Sequence, residues 1–382
     1  MSGHCYQINL QAHFGGGEVY TQFLTRALGE LGYDVTLLVS PKARFWKDMD
    51  LAGVPIVPIV SVEASALLAA LPRERSWVLT HGTLPLDVRM AIKSAHFLSG
   101  IAHMPLFGRD PKSFEHYDLV FAVSNYVLEG LKVAPYADAY NEPLYGVAQL
   151  DAARADATQA VMAESVYDWD QRKLRDRLLS YLHPLWRSAQ TKPCYTKLDG
   201  LTLGIVSRLT PIKQFPQQFR ILAPILATIP GINLEIFGSG GYASVRDLRQ
   251  ALRPLGKRAR LWGQQRNVAA VYKQIDFLLT GLPEKEALGL NIIEAQACGT
   301  PVLAVNAPPF TETVLEGVTG FFYRDPREDN GADFARLLRE IAAMQKFPDP
   351  RQAQDHLARF SFAAFKERLA RALPEVERRL TV

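Results

Sequence analysis

Short apolar runs alternate with helix-spaced stretches along this chain, and the whole alternation occurs twice. Residues 18–31 place Val19, Tyr20, Phe23, Leu24, Ala27, Leu28 and Leu31 at helical spacing. Gly32 ends that helix, and Val35–Val39 is an apolar run suited to a buried parallel strand. Trp77–Thr80, Ile101–His103 and Leu119–Ser124 read as further strands, each leading into a polar or Gly/Pro-containing turn. From Leu201 the pattern restarts: LTLGIVS, LEIFG, RLWG, FLLTG, PVLAV and GFFY read as six strands, most separated by helix-like segments. Such alternation implies a parallel sheet with crossover helices, and 382 residues suit two of them. The expected class is α/β, with two Rossmann-like doubly wound parallel-sheet domains. Ligands of such sheets bind beyond the carboxyl ends of the strands, so two in tandem would line one shared cleft.

The stretch between them, 151–199, breaks the rhythm. DAARADATQAV and YDWDQRKLRDRLLSYL are charged and helix-prone, and TKPCYTKLDG reads as a loop. The expected boundaries are therefore an N-terminal domain over 1–150, a connection with a helical insertion over 151–199, and a C-terminal domain over 200–345. Residues 346–382 are expected to form helices packing back towards the N-terminal domain, within a helical, amphipathic tail that starts near Arg336.

Composition excludes several classes. Hydrophobic residues at 48% and charged residues at 21% give no disordered bias. The formal charge of +4 permits a basic patch for phosphates without calling for a nucleic-acid partner, and leaves peripheral membrane contact open. Cys5, Cys194 and Cys298 lie far apart with no CxxC pair, which argues against a zinc site or a disulfide framework and fits a reducing compartment. The start, MSGHCYQINLQ, has no apolar core of a signal peptide, and no run reaches the ~18 apolar residues that span a bilayer. The expectation is a cytoplasmic protein.

The most specific segment is EKEALGLNIIEAQACGTPVLA, residues 284–304. Glu286 falls in the loop after the FLLTG strand, Gly289 marks a helix start, and Glu294 follows about one turn in. Two carboxylates and a set of unpaired backbone N–H groups, including those at Gly289 and Leu290, then surround one point. Helix N-termini favour anionic phosphate, and carboxylates accept hydrogen bonds from sugar hydroxyls. A nucleotide sugar presents both. Two solvated glutamates beside a helix start would give the same spacing, but the attached Gly-Thr-Pro-Val turn and strand favour function.

This segment resembles the E-x7-E signature of the large retaining glycosyltransferase family with the GT-B fold, with Leu288 where Phe is common and Asn291 where an aliphatic is common. The resemblance implies that Glu294 holds the donor ribose and Glu286 contacts the transferred sugar. Residues 204–215, GIVSRLTPIKQF, are similar to the family's G-R-L-x-x-x-K-G pattern, with Gln214 in place of Gly. Arg208 and Lys213 would stabilise the charge that a departing nucleoside diphosphate gains. Gly238, in the FGSGG turn, and Trp262 and Gly263, in LWGQQRN, resemble the parts beside the nucleotide. The stretch 309–320 matches the family in outline.

In the first half, FGGGE over 14–18 is similar to the family's G-G-x-E turn, which assigns diphosphate contact to Gly16 and Gly17; a tight packing turn would read the same. His103 resembles the strand-end His that faces the donor sugar, and His81 is a rival at a similar strand end. Ser124-Asn125 resembles the turn after another strand, while Tyr145-Gly146-Val147 stands where N-G-V-D is usual. The likeness is absent over most of 40–80 and 150–170, as expected of a shared donor and a private acceptor.

By resemblance, transfer proceeds with retention, the acceptor attacking from the leaving-group face and the diphosphate taking its proton. No cofactor or metal is expected: no Asp-x-Asp ends a strand, and Asp168-Trp-Asp170 falls in the charged helix expected within 151–199. The expected partners are a UDP- or GDP-linked sugar and a glycan, lipid-linked or small-molecule acceptor, as in polysaccharide or lipopolysaccharide biosynthesis. A nucleotide-sugar 2-epimerase on the same architecture and a non-catalytic sugar-nucleotide-binding protein are the alternatives.

Overall fold

The computed structural model describes residues 3–12, 14–134, 138–148, 160–169 and 193–381. The first sheet is built from β1 (His4–Asn9), β2 (Asp34–Val39), β3 (Ile56–Pro58), β4 (Trp77–Thr80), β5 (Phe97–Ala102) and β6 (Leu119–Ala122). The second is built from β7 (Leu201–Val206), β8 (Ile232–Phe237), β9 (Ala259–Leu261), β10 (Phe277–Leu279), β11 (Val302–Val305) and β12 (Gly320–Tyr323). Their orders are β3-β2-β1-β4-β5-β6 and β12-β11-β10-β7-β8-β9, with every ladder parallel. Read from opposite edges these are one topology, in which the strand order reverses between β1 and β4 in one sheet and between β7 and β10 in the other. Those reversals are the switch points at which doubly wound sheets bind ligands.

The strands are apolar on both faces because helices cover both faces, as parallel sheets require. Every residue of β4, β5, β6, β8, β10 and β11 is buried. β5 begins four residues before the apolar run Ile101–His103 suggests. Its pairing with β4, Trp77 against Phe97 and Thr80 against Gly100, recruits Ser99 and Gly100, which an apolar scan passes over.

The chain divides into two compact units, Met1–Ala148 with Ala358–Val382, and Gln149–Leu357. The last helix, Phe362–Leu380, lays Phe365 edge-on against Tyr20 and Phe23 of helix Gly16–Glu30, at 5.6 and 4.9 Å. Lys366 pairs with Glu30 at 2.8 Å and Arg371 with Glu142 at 2.6 Å. The tail is not one helix. Helix Ala332–Ala342 stops, and Pro348, which lacks the N–H that a helix interior needs, precedes the short pieces Pro350–Gln352 and Gln354–Ala358.

Most of the charged stretch 151–199 lies outside the described residues, including nearly all of both segments expected to be helical. Of its described part, Met162 bridges Cys194 antiparallel and Tyr167 bridges Gly240 in parallel. Asp168 is consequently extended and not on a helix: its N–H donates to the Gly240 carbonyl at 2.9 Å and its carboxylate accepts from Ser239 Oγ at 2.7 Å. Asp170 lies outside the described residues. Among the described residues no helix is long and apolar enough to cross a membrane.

Candidate active site

In the second unit, the loops that follow the two central strands meet. Past β7, a 3-10 turn Pro211–Lys213 leads to Gln214, which is left-handed (φ 56°) and precedes helix Phe215–Thr228. Past β10, Gly281 lets this turn come close: a Cβ there would sit 2.5 Å from the Lys213 carbonyl oxygen. Lys213 Nζ then donates to Glu286 Oε2 in an ion pair whose side chains are 25% and 17% exposed. Beside it, Gln214 donates to Glu284 at 3.1 Å, and Glu284 pairs with Arg327. Arg208 lies exposed, two residues past the end of β7.

Helix Leu290–Ala297 starts from Gly289, whose φ of +85° is costly for any side chain, and whose Cβ would press on Ile292. Asn291 at the helix start donates to the Val206 carbonyl at 3.1 Å, tying that start to the carboxyl end of β7. Glu294, half-buried, accepts from the hydroxyl of the buried Tyr272 at 3.1 Å. Burial pushes its carboxyl up to about 7, against the partial relief of that hydrogen bond. A carboxylate held short of its preferred charge state gains from new hydroxyl donors. The sequence hides Tyr272, which belongs to no recognisable pattern, and hides the packing role of Gly281 at the end of FLLTG.

Gly238 packs where a Cβ would lie 1.9 Å from the Ser207 carbonyl oxygen, which locks the turn after β8 onto the loop after β7. Trp262 goes elsewhere than its sequence position suggests. It is 7% exposed, and its indole N–H donates to Glu235 Oε2 at 2.7 Å, beside Arg260, whose Nε reaches Glu235 at 2.8 Å. The ring is committed to the core because Glu235, itself fully buried on β8, needs donors. Gly263 (φ +73°) serves a crossing: a Cβ there would lie 2.4 Å from the Glu164 carbonyl. Trp262→Phe is therefore expected to cost about 1–3 kcal/mol by stranding part of Glu235. Donor affinity should be unchanged, which thermal unfolding and calorimetric titration together check.

In the first unit, polar side chains gather at the carboxyl ends of the strands. Asn9, ending β1, donates to Thr21 Oγ1 at 2.9 Å and to the buried Glu18 at 3.4 Å. Helix Gly16–Glu30 opens on Gly16 and Gly17, where an added Cβ would meet nothing within 4 Å. Close packing among the described residues does not hold either position to glycine. His81, one residue past β4, and His103, one residue past β5, form a hydrogen-bonded pair, Nδ1 to Nε2 at 3.1 Å. Their rings stack with centroids 5.4 Å apart. Ser124 caps helix Asn125–Val133, and Asn125 donates to the Tyr145 hydroxyl at 2.6 Å.

Two doubly wound units with these loops are the GT-B fold of glycosyltransferases. The chain matches Anabaena Alr3699/HepE, solved in complex with UDP, over 98% of its own length and 100% of that chain, with a TM-score of 0.69 and 16% identity. It matches sucrose-phosphate synthase from Thermosynechococcus elongatus over 98% of its length and 99% of that chain, with a TM-score of 0.67 and 16% identity. Residues 195–354 match the model of the family Glycosyl transferases group 1. Among curated proteins, the D-inositol 3-phosphate glycosyltransferase of Mycobacterium leprae (strain Br4923) is 33% identical over 218 residues, 55% of this chain and 47% of that protein. The protein of that name in Rhodococcus erythropolis is 29% identical over 173 residues, 42% and 38%. The chain thus spans less than half the length of these relatives.

Proposed function

We propose that this protein is a retaining glycosyltransferase that moves a sugar from a UDP- or GDP-linked donor to a glycan, lipid-linked or small-molecule acceptor. The observation that carries the reading is the Lys213–Glu286 ion pair between the loops following β7 and β10, at the switch point of the second sheet. Glu294 lies on the helix that starts from the same β10 loop. It offers ribose hydroxyls an acceptor, the amides of Gly289 and Leu290 offer the diphosphate donors, and Lys213 with Arg208 offers the leaving group positive charge. The UDP bound by the Anabaena protein and the inositol phosphate in the relatives' names fit a nucleotide donor and a small polar acceptor.

Glu286, clamped by an ammonium, is a poor nucleophile, which favours front-face attack by the acceptor over the double displacement of retaining glycosidases. The leaving diphosphate takes the acceptor proton. Fixed cations do the work that a divalent metal does in other transferases. Transfer should therefore continue undiminished in excess chelator, and proton NMR of the first product should show the donor's anomeric configuration. Loss of activity in chelator that manganese restores, or an inverted product, would overturn this mechanism. Donor epimerisation with no acceptor present would replace transferase by isomerase.

A further inference from the structure

His103, one residue past β5, has one ring nitrogen engaged with His81 and one without a partner among the described residues. Its Nε2 meets His81 Nδ1 at 3.1 Å, and His81 Nε2 meets Gln7 Oε1 at 2.7 Å. Gln7, fully buried on β1, donates its amide N–H to Thr25 Oγ1 at 3.0 Å, which turns Oε1 towards His81. An amide oxygen only accepts, so His81 must carry its proton on Nε2, leaving Nδ1 as a lone pair. A lone pair on His81 in turn requires the proton of His103 to sit on Nε2. The order of protons is thereby set from the sheet interior outwards, from Gln7 through His81 to His103.

Burial disfavours a charge on either ring. Burial lowers His103 to about 4 and holds His81, which also faces His103, well below the usual imidazole value. Tyr20 closes one side, its ring edge-on to His103 at 4.9 Å, with its hydroxyl spent on the Leu144 carbonyl at 2.9 Å. His103 Nδ1 has no partner among the described residues, and it is absent from their fully buried polar atoms that lack one, so it reaches solvent. A ring with one nitrogen fixed as donor into the protein and the other open as acceptor reads the polarity of what it meets. It accepts from a hydroxyl and rejects a carbonyl or phosphate oxygen.

We propose that His81, aligned by Gln7, is a positioning residue that holds His103 as the Nε2–H tautomer, so that Nδ1 accepts a hydrogen bond from a substrate hydroxyl. The hydroxyl's identity as a sugar or acceptor group rests on the transferase reading above. The tautomer does not: it belongs to the free protein.

Nitrogen-15 NMR of the histidine rings in the full chain, without ligands, tests the order of protons directly. The wild type should show His103 protonated at Nε2 and bare at Nδ1. His81→Asn puts an amide oxygen near the lost Nδ1, and should preserve both the tautomer and kcat. His81→Leu should mix the two tautomers and lower kcat about tenfold, the equivalent of one well-placed hydrogen bond, with KM little changed. Gln7→Met serves as a second variant should His81→Leu not fold, with the same expected loss of tautomer order. A wild-type His103 protonated at Nδ1 overturns the inference and leaves the proposed reaction untouched. So does a His81→Asn variant as impaired as His81→Leu, or a Gln7→Met variant with tautomer and kcat intact.

Discussion

Replacing Lys213 with methionine is expected to lower turnover by roughly 10²–10³-fold, the usual effect of removing one fixed group that meets developing charge. The leaving diphosphate gains negative charge as the glycosidic bond breaks, so the ammonium helps the transition state more than the bound donor, and the loss should fall on kcat more than on KM. Methionine keeps the length and apolar stem of lysine, so packing of the 3-10 turn is retained. The pair is about a fifth exposed on each side, so its removal should cost no more than ~1 kcal/mol of stability. Glu286→Gln should cost comparable turnover, and the double variant should lose much less than the product of the two, because each residue holds the other in place. Steady-state kinetics beside thermal unfolding separates these effects.

Glu294→Gln is expected to weaken donor binding while making the fold more stable at alkaline pH. In the folded chain the Glu294 carboxyl titrates at about 7, and in the unfolded chain near its ordinary value of 4.5. Between those values the folded chain keeps a proton that the unfolded chain has released, so stability falls as pH rises through that window and stays reduced above it. The ceiling of that penalty is about 3 kcal/mol. Because the carboxyl keeps part of its surface open, a realised gain of ~1–2 kcal/mol for glutamine at pH 8 is the better expectation. Donor hydroxyls favour the charged carboxylate, so wild-type donor affinity should rise with pH through 7. That rise should vanish in Glu294→Gln. Equal stability of the two proteins at pH 8, or a pH-independent wild-type affinity, would contradict this account of Glu294.

The sequence showed what local chemistry determines. Apolar runs gave away strands because both faces of each sheet are covered, and Gly289 betrayed a helix start because its backbone conformation admits little else. Contacts made across the sheets were hidden. Trp262 follows a strand, where an aromatic ring serves equally as a pocket wall or as core. Only its fold partner Glu235, 27 residues earlier and in the middle of the LEIF run, decides for the core. That interior acid was the one available signal, since an unpaired carboxylate cannot stay buried. His81 and His103 looked like competitors because nothing local says that β4 and β5 are neighbours. Lys213 finds Glu286 only because Gly281, 68 residues along the chain from Lys213, allows two backbones to approach.

The most direct measurement of the central claim is calorimetric titration of the wild type and of Lys213→Met with UDP, GDP and their parent nucleosides, in chelator. One nucleoside diphosphate should bind the wild type, and lose at least tenfold in affinity in Lys213→Met. Its weaker parent nucleoside should bind both proteins alike. Equal diphosphate affinity in the two proteins, or no binding of either diphosphate, would show that the switch point between β7 and β10 is not where a diphosphate sits.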